Sequence, residues 1–289
     1  MFAMKFEYFS DSQDFPLVIH YGGHEQNLLP HTHEHYSELV FVLGGSAMHI
    51  VNGEEYTVEK GDVFVLGGNT SHAYMNPKDF KICNLMFKPQ HIFNRKLDVE
   101  NTVGFEALFV VEPKMMENKV FNSWFRLGYK DFQFISDFIA AMIEEYENKE
   151  DGWRTLVMSD FLRLTVILSR LYSDSPTTQS SSSYYLANVT SYINNNYTKS
   201  LKIKDLALMA NLSERHFLRT FKDTYKKSPS DYINSLRLSH AQNLLKQTDL
   251  SMLAIALQSG FNSSNYFARQ FRKEFSMAPT EYRKMYSTN

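Results

Sequence analysis

The hydrophobic pattern changes period along this chain. Up to about residue 90 the apolar positions alternate with polar ones or run in short stretches broken by turn residues, the signature of strands. Glu38–Leu43 reads as a strand closed by Gly44-Gly45. Ala47–Val51 pairs with Glu54–Val58 across Asn52-Gly53, a strong hairpin signal. Gly61-Asp62 turns into Val63–Leu66, Gly67-Gly68-Asn69 breaks the run, and Ser71–Met75 and Lys81–Phe87 continue. Short strands with frequent turns predict a small antiparallel barrel or jelly roll.

Residues 91–130 show no clean period, and Phe105, Phe109, Phe121, Trp124 and Phe125 are assigned to cover one barrel face. Two amphipathic helices follow, over about 131–149 and 153–172. Phe134-Ile135, Phe138-Ile139, Met142-Ile143 and Tyr146 recur at helical spacing in the first; Leu156-Val157, Leu164, Ile167-Leu168 and Leu171 do so in the second. Residues 173–183 are small and polar with one Pro, which predicts a flexible linker.

The last hundred residues repeat themselves. Leu206-Ala207, Asn211-Leu212, Phe217, Phe221, Pro229 and Tyr232 return as Ile255-Ala256, Gly260-Phe261, Phe267, Phe271, Pro279 and Tyr282, at an offset of 49 and then 50 residues. Each copy reads as helix, tight turn, helix. Asn211 and Gly260 stop the first helix in the left-handed region, and Ser213 and Ser263 or Ser264 cap the second. The phenylalanines at i, i+4 form the buried stripe. The outer face carries Arg215, Arg219 and Lys222 in copy one, and Ser264, Asn265, Arg269 and Arg272 in copy two. Hydrogen-bond donors there are what a helix entering the major groove requires. Two solvated helical hairpins are the plainer reading, and the duplication argues against it. Ile233, Leu236-Arg237-Leu238, Ala241 and Leu244-Leu245 predict one helix between the modules, holding two reading helices for successive major grooves about 34 Å apart.

Composition sharpens this division. The 289 residues carry a formal charge of −2, 43% hydrophobic and 21% charged residues, ordinary for a soluble protein. From Tyr184 to the end there are 15 Lys+Arg against 7 Asp+Glu, while the rest holds 15 against 25. A basic module on an acidic remainder fits a DNA-binding part, because phosphate neutralisation supplies much of non-specific affinity. Cys83 is the only cysteine, so no intrachain disulfide forms. Met1 to Ser10 lacks a signal-peptide core and no run is long enough to span a membrane, so a cytoplasmic location with no membrane partner is expected.

Candidate chemistry concentrates in the strand region, where His31, His33, His35 and Glu38 fall within eight residues and His72 lies further on. With Tyr74 they form the candidate effector set. His33-x-His35-x-x-Glu38 competes with His31-x-His33-x4-Glu38, so spacing alone leaves open which imidazoles converge. Three readings stand: a polar pocket for a small effector without metal, which is preferred; a divalent metal on His31, His33, Glu38 and His72; or histidines that only pack.

The repeat resembles the AraC/XylS family of transcription regulators, through Leu206-Ala207, Ser213, Phe217, Arg219, Phe221-Lys222, Ser228-Pro229, Tyr232, Arg237-Leu238, Ala241, Gly260-Phe261, Tyr266-Phe267, Phe271-Arg272, Pro279 and Tyr282-Arg283. It departs from the family pattern at Lys226 and Ser276, where Gly is usual. His31-x-His33-x4-Glu38-x6-Gly45 resembles the first cupin motif and Gly61-x10-His72-x3-Asn76 the second, with Gly67 and Asn69 replacing its Pro and Gly. In metal-binding cupins such positions supply three imidazoles and a carboxylate, suited to Zn, Ni, Mn or Fe. The rhamnose-responsive branch is the nearest resemblance, through Pro30–His33, Glu38–Val40, His49–Gly53, Gly61–Phe64 and Leu168–Tyr172.

The resemblance implies an α+β chain of two domains. Residues 1–172 would be a cupin-like β-barrel (about 1–90) with a helical pair (about 131–172) for effector binding and dimerisation. The linker would be 173–183, and 184–289 an all-α double helix-turn-helix. The function implied is a dimeric DNA-binding regulator, not an enzyme, activating carbohydrate-utilisation genes in response to a small polar effector, with a sugar as the leading candidate, 6-deoxy sugars among them, and RNA polymerase as the partner of an activator. The rivals are a metal-dependent cupin enzyme with a DNA-binding tail and a ligand-independent dimeric regulator.

Overall fold

The computed structural model describes residues 2–10, 14–93, 97–117, 125–179 and 181–286. The chain forms two compact units, Met1–Asn188 and Val189–Asn289, the first rich in strands and the second helical. This is the expected α+β, two-domain class.

In the first unit the strands are β1 (Phe2–Lys5), β2 (Leu17–His24), β3 (Leu28–Glu34), β4 (Ser37–Val51), β5 (Glu54–Glu59), β6 (Asp62–Leu66), β7 (His72–Phe87) and β8 (Phe125–Arg126). β4 and β7 pair antiparallel as the spine, and each changes its other neighbour part-way along. β4 pairs with β6 over Glu38–Phe41 and with β5 over Ser46–Val51. β7 pairs with β3 near His72 and with β2 over Phe80–Phe87. Strands that serve two neighbours must bend. The β4–β7 register slips between Val42 and Met48, where Gly45 has φ +63 and Asn76 and Asp79 have φ 51 and 48. A Cβ on Gly45 would sit 2.1 Å from the Lys78 carbonyl oxygen, so this bulge admits only glycine. The turn residues therefore kink two long strands. They do not close a strand at Gly44-Gly45, nor divide Ser71–Met75 from Lys81–Phe87, as the sequence predicts.

β4 has two burial regimes. Glu38–Val42 is buried without a break, whereas Ala47–Val51 alternates, as expected for a strand covered on both faces in one half and on one face in the other. Helices supply the second cover, as on neighbouring β7, where the Phe87 ring lies 5.9, 6.3 and 5.2 Å from those of Phe93, Phe109 and Phe161. Cys83, on β7 between Tyr21 and Phe41, is fully buried.

The covering helices are α1 (Pro89–Ile92), α2 (Val103–Phe105), a π-helical stretch Glu106–Val111 running into α3 (Glu112–Glu117), α4 (Tyr129–Asn148) and α5 (Trp153–Asp174). The π-helical stretch breaks the 3.6-residue period over Glu106–Val111. Phe105 and Phe109 stack 5.2 Å apart in this cover, and Phe125 packs on Tyr172; Phe121 and Trp124 lie outside the described residues. α4 buries Ile135, Ile139 and Met142, and α5 buries Val157, Phe161, Leu164 and Leu168, while Phe134 and Leu156 stay about half exposed at 48% and 53%.

The structure departs from the expected linker at 173–183. That span holds the end of α5, then α6 (Pro176–Gln179) and the start of α7 (Ser182–Asn196). Its hydroxyls satisfy the backbone locally: Thr178 donates to the Ser175 carbonyl at 2.8 Å and Ser181 to that of Thr178 at 2.7 Å. Ser183 donates to the buried Glu112 carboxylate at 3.1 Å, which also accepts from the Tyr172 hydroxyl. Small polar residues can thus order a segment without burying apolar surface.

The second unit contains α8 (Ile203–Met209), α9 (Glu214–Tyr225), α10 (Pro229–Gln247), α11 (Met252–Gln258), α12 (Ser264–Phe275) and α13 (Pro279–Tyr286). α10 is continuous for 19 residues, roughly 28 Å at the usual helical rise.

Candidate functional site

In the first unit, side-chain alternation along β3 turns His31 and His33 inward together. Glu38 from β4 and His72 from β7 meet them. The Nε2 atom of His33 is 3.4 Å from Glu38 Oε1 and 3.1 Å from His72 Nε2, and Glu38 Oε2 is 4.0 Å from His72 Nε2. Ligand-capable atoms of His31, His33 and His72 all lie within 4.8 Å of one another. His33 N–H donates to the Gly68 carbonyl at 2.9 Å, tying β3 to the loop after β6 and fixing this geometry. His31 Nδ1 faces the Leu29 carbonyl at 3.0 Å, which makes Nδ1 the donor and leaves Nε2 an inward lone pair.

Sequence reading missed His49, whose Nε2 is 3.4 Å from His72 Nδ1 and whose ring stacks 4.7 Å from Tyr74. A signal existed: His49 occupies the inward register of an alternating strand, between buried Ala47 and Val51. His35 does not join the group. β3 ends at Glu34, and His35 adopts φ 65 in the turn, with its side chain 83% exposed beside Glu34. The expectation of His35 in the pocket is corrected accordingly.

Burial sets the charge state. It pushes the Glu38 carboxyl up to about 8, holds the His33 and His49 imidazoles down at about 3, and drives His72 well below its ordinary value. His33 Nδ1, Glu38 Oε2 and the buried Tyr74 hydroxyl have no hydrogen-bond partner among the described residues. Leaving such groups unpaired costs about 1–3 kcal/mol each. The arrangement can receive a ligand that both donates and accepts hydrogen bonds. Its donor set, imidazole nitrogens plus a carboxylate oxygen, also fits a divalent transition metal, with His31 oriented by the Leu29 carbonyl.

In the second unit the sequence repeat is a repeat of packing. Phe217 and Phe221 meet at 5.6 Å, Phe267 and Phe271 also at 5.6 Å. Phe221 meets Tyr232 edge-on at 5.4 Å and 77°, Phe271 meets Tyr282 at 5.4 Å and 76°. Ser213 and Ser263 cap α9 and α12 by accepting from the His216 and Tyr266 amides. Asn211 and Gly260 have φ 55 and 88 at the turns. Gly260 has a second constraint, since its Cβ would lie 2.7 Å from Thr198 Cα. Lys226 and Ser276 also take left-handed φ, 57 and 59, so the places where Gly is usual keep the conformation without the residue.

The profile of the helix-turn-helix domain matches residues 206–285, and that of the cupin domain matches 17–87. Over 259 residues, 90% of this chain and 89% of the relative, the chain is 26% identical to the HTH-type transcriptional activator RhaS of Enterobacter sp. (strain 638). The chain belongs to the AraC/XylS family. It is 25% identical to the HTH-type transcriptional activator RhaR of the same strain, over 88% of this chain and 86% of that one. A solved transcriptional regulator with an AraC-type DNA-binding domain, from Chromobacterium violaceum, is 33% identical over 36% of this chain and 93% of that one, with a TM-score of 0.34. This AraC-type chain is a DNA-binding transcription regulator and not an enzyme. No helix among its described residues is long and apolar enough to cross a membrane.

Arg215, Arg219 and Lys222 on α9, and Asn265, Arg269 and Arg272 on α12, are all exposed in this AraC-type regulator; Ser264 is half-buried at the start of α12. Arg269 lies 5.4 Å over the Tyr266 ring, itself 38% exposed. Tyr266 is not among the residues that the sequence assigns to the outer face of α12.

Proposed function

We propose that the first unit senses a small polyhydroxyl effector, a sugar, and that the chain activates carbohydrate-utilisation genes when it binds. The observation that carries this reading is the set of buried atoms without a hydrogen-bond partner among the described residues, His33 Nδ1, Glu38 Oε2 and the Tyr74 hydroxyl, gathered in one barrel. A sugar hydroxyl donates and accepts at once, so one ligand can satisfy both an imidazole and a carboxyl. His31, His33, Glu38, His72, Tyr74 and His49 are the proposed contacts. The likeness to activators named RhaS and RhaR supports L-rhamnose as the first sugar to try. A thermal-shift series against L-rhamnose and other monosaccharides tests this, since a ligand that binds the folded state raises its midpoint. A flat series across all sugars defeats it.

A second reading is favoured by one contact. The His31 Nδ1–Leu29 carbonyl pair presents Nε2 inward, as the outer partner of a metal-bound imidazole does. His31, His33, Glu38 and His72 would then hold a divalent ion, which would supply charge to polarise a ligand oxygen.

The regulator further acts as a cytoplasmic homodimer paired through α4 and α5, whose half-exposed Phe134 and Leu156 support this surface. It binds operator DNA through α9 and α12 in successive major grooves, and engages RNA polymerase. Sedimentation of the full chain tests the pairing; a strict monomer at high micromolar concentration defeats it.

A further inference from the structure

The two modules are copies, yet the loops that follow their reading helices differ in charge. Copy one has Lys226-Lys227 where copy two has Ser276-Met277. The loop of copy one borders a groove of about 390 Å³ whose floor is α10. Lys222, Lys226 and Lys227 line one wall, Gln270, Lys273 and Glu274 of α12 the other, and Asp231, Asn234, Ser235 and Leu238 the floor. Of the two acids, Asp231 already accepts from the Ser228 hydroxyl at 2.6 Å. Four lysines thus line a groove between α9 and α12, with the Lys226 ammonium donating to the Asp223 carbonyl at 2.8 Å.

Lys226 also occupies a costly conformation. Its φ of 57 is left-handed, a region that favours glycine. Ser276 takes the same left-handed φ, 59, at the equivalent place in copy two, so the conformation is common to both loops and only the charge sets copy one apart. Were the charge only for solubility, the equivalent loop at Ser276-Met277 would serve as well.

We infer that this groove seats the phosphodiester backbone of the duplex where it passes from one reading helix to the other, with Lys226, Lys227 and Lys273 as phosphate contacts. The inference rests on the reading of α9 and α12 as groove-entering helices. The contacts are sequence-independent, so they add to affinity for any duplex and set how the two modules register on it.

The test is the salt dependence of full-chain binding to a duplex of arbitrary sequence, read by fluorescence anisotropy. Each phosphate neutralised contributes about 0.9 to the slope of log K against log salt. The variant with Lys226→Ala, Lys227→Ala and Lys273→Ala should lower that slope by about 2–3 units. A control with Lys78→Ala, Lys81→Ala and Lys130→Ala, of equal net charge, should leave it unchanged. Lys226→Gly should raise the thermal midpoint by relieving the left-handed strain while lowering the slope by about 0.9. A groove variant whose slope matches the control overturns the inference, and so does a loss of affinity at constant slope. Wild-type protein that shows no salt-dependent binding overturns the groove-entry reading beneath it.

Discussion

The Nε2 atoms of His33 and His72 face each other at 3.1 Å inside the barrel. Both cannot carry a proton there without repulsion, and burial already lowers both imidazoles. An imidazole held at about 3 in the fold and near 6.5 unfolded leaves the folded state with fewer protons between those values. Its contribution is complete above pH 6.5 and is lost as pH falls toward 3. Glu38 acts oppositely: with its carboxyl raised from 4.5 to about 8, its contribution is complete below 4.5 and is lost as pH rises to 8. Several histidines outweigh one glutamate below 6.5, and Glu38 acts alone above it. Thermal midpoints of chelated protein should therefore peak near pH 6.5 and fall on both sides; a monotonic rise through pH 8 contradicts this.

Glu38 also separates the two ligand readings. With a sugar and no metal, Glu38→Gln and His72→Ala remove the thermal shift given by the effector, the unliganded protein stays folded, and a chelator changes nothing. With a metal, the same variants lose bound ion and the sensor loses stability that added divalent ion restores in the wild type. Metal content and thermal midpoints, measured on the same samples, distinguish these outcomes. We expect the first; an effector response abolished by chelator and restored by divalent ion rules it out.

On the DNA side, Arg219→Ala or Arg269→Ala should cost ~1–3 kcal/mol at the cognate site and relax preference at one base position. Lys222→Ala and Arg272→Ala should weaken all duplexes alike. Tyr266→Ala should reproduce part of the Arg269 loss, because the guanidinium lies over its ring. Binding selections with randomised duplexes read both affinity and preference. Equal losses on specific and non-specific DNA for Arg219→Ala contradict the assignment to a base edge.

What the sequence made legible followed from period and punctuation. Phe217/Phe221 and Phe267/Phe271 announced the helical repeat, and Asn52-Gly53 the hairpin between β4 and β5. His31, His33, Glu38 and His72 lie together in the fold because alternation along β3 places His31 and His33 on one face, a choice that the spacing of the histidines alone left open. His35 shares that parity but lies beyond the strand end, which parity cannot see. Gly44-Gly45 reads as a stop because a bulge and a turn demand the same residue; only the approach of the Lys78 carbonyl distinguishes them. The 173–183 segment misled for a related reason. Low apolar content argues against burial, but Ser183 is ordered by hydrogen bonding to Glu112, and a hydroxyl partner sixty or more residues away leaves no local trace.

The Gly45 bulge gives a stability prediction that needs no ligand. Gly45→Ala places a methyl against the Lys78 and Asp79 carbonyls, with atoms 2.1 and 2.3 Å away. The β4–β7 spine must then shift its register or open. Strain of this kind together with the left-handed φ should cost ~3 kcal/mol or more, read as a drop in the chemical-denaturation midpoint of the first unit. A control at Gly53, where a Cβ would meet nothing within 4 Å, retains only the conformational part.

Cys83 turns the same spine into its own reporter. Its thiol is fully enclosed between neighbouring strands, and burial pushes it up to about 12, so neither oxidant nor alkylating reagent reaches a thiolate while β7 is in place. Labelling can proceed only through molecules whose barrel has opened. The labelling rate therefore counts openings of the sensor one at a time, without a mutation or an attached probe. When openings reclose faster than the reagent reacts, a ligand that occupies only the closed barrel slows labelling by the factor 1 + [L]/Kd. A kinetic trace on unmodified protein could then rank candidate effectors by affinity, and any covalent dimer in a stored sample would mark unfolded chains and not the native assembly.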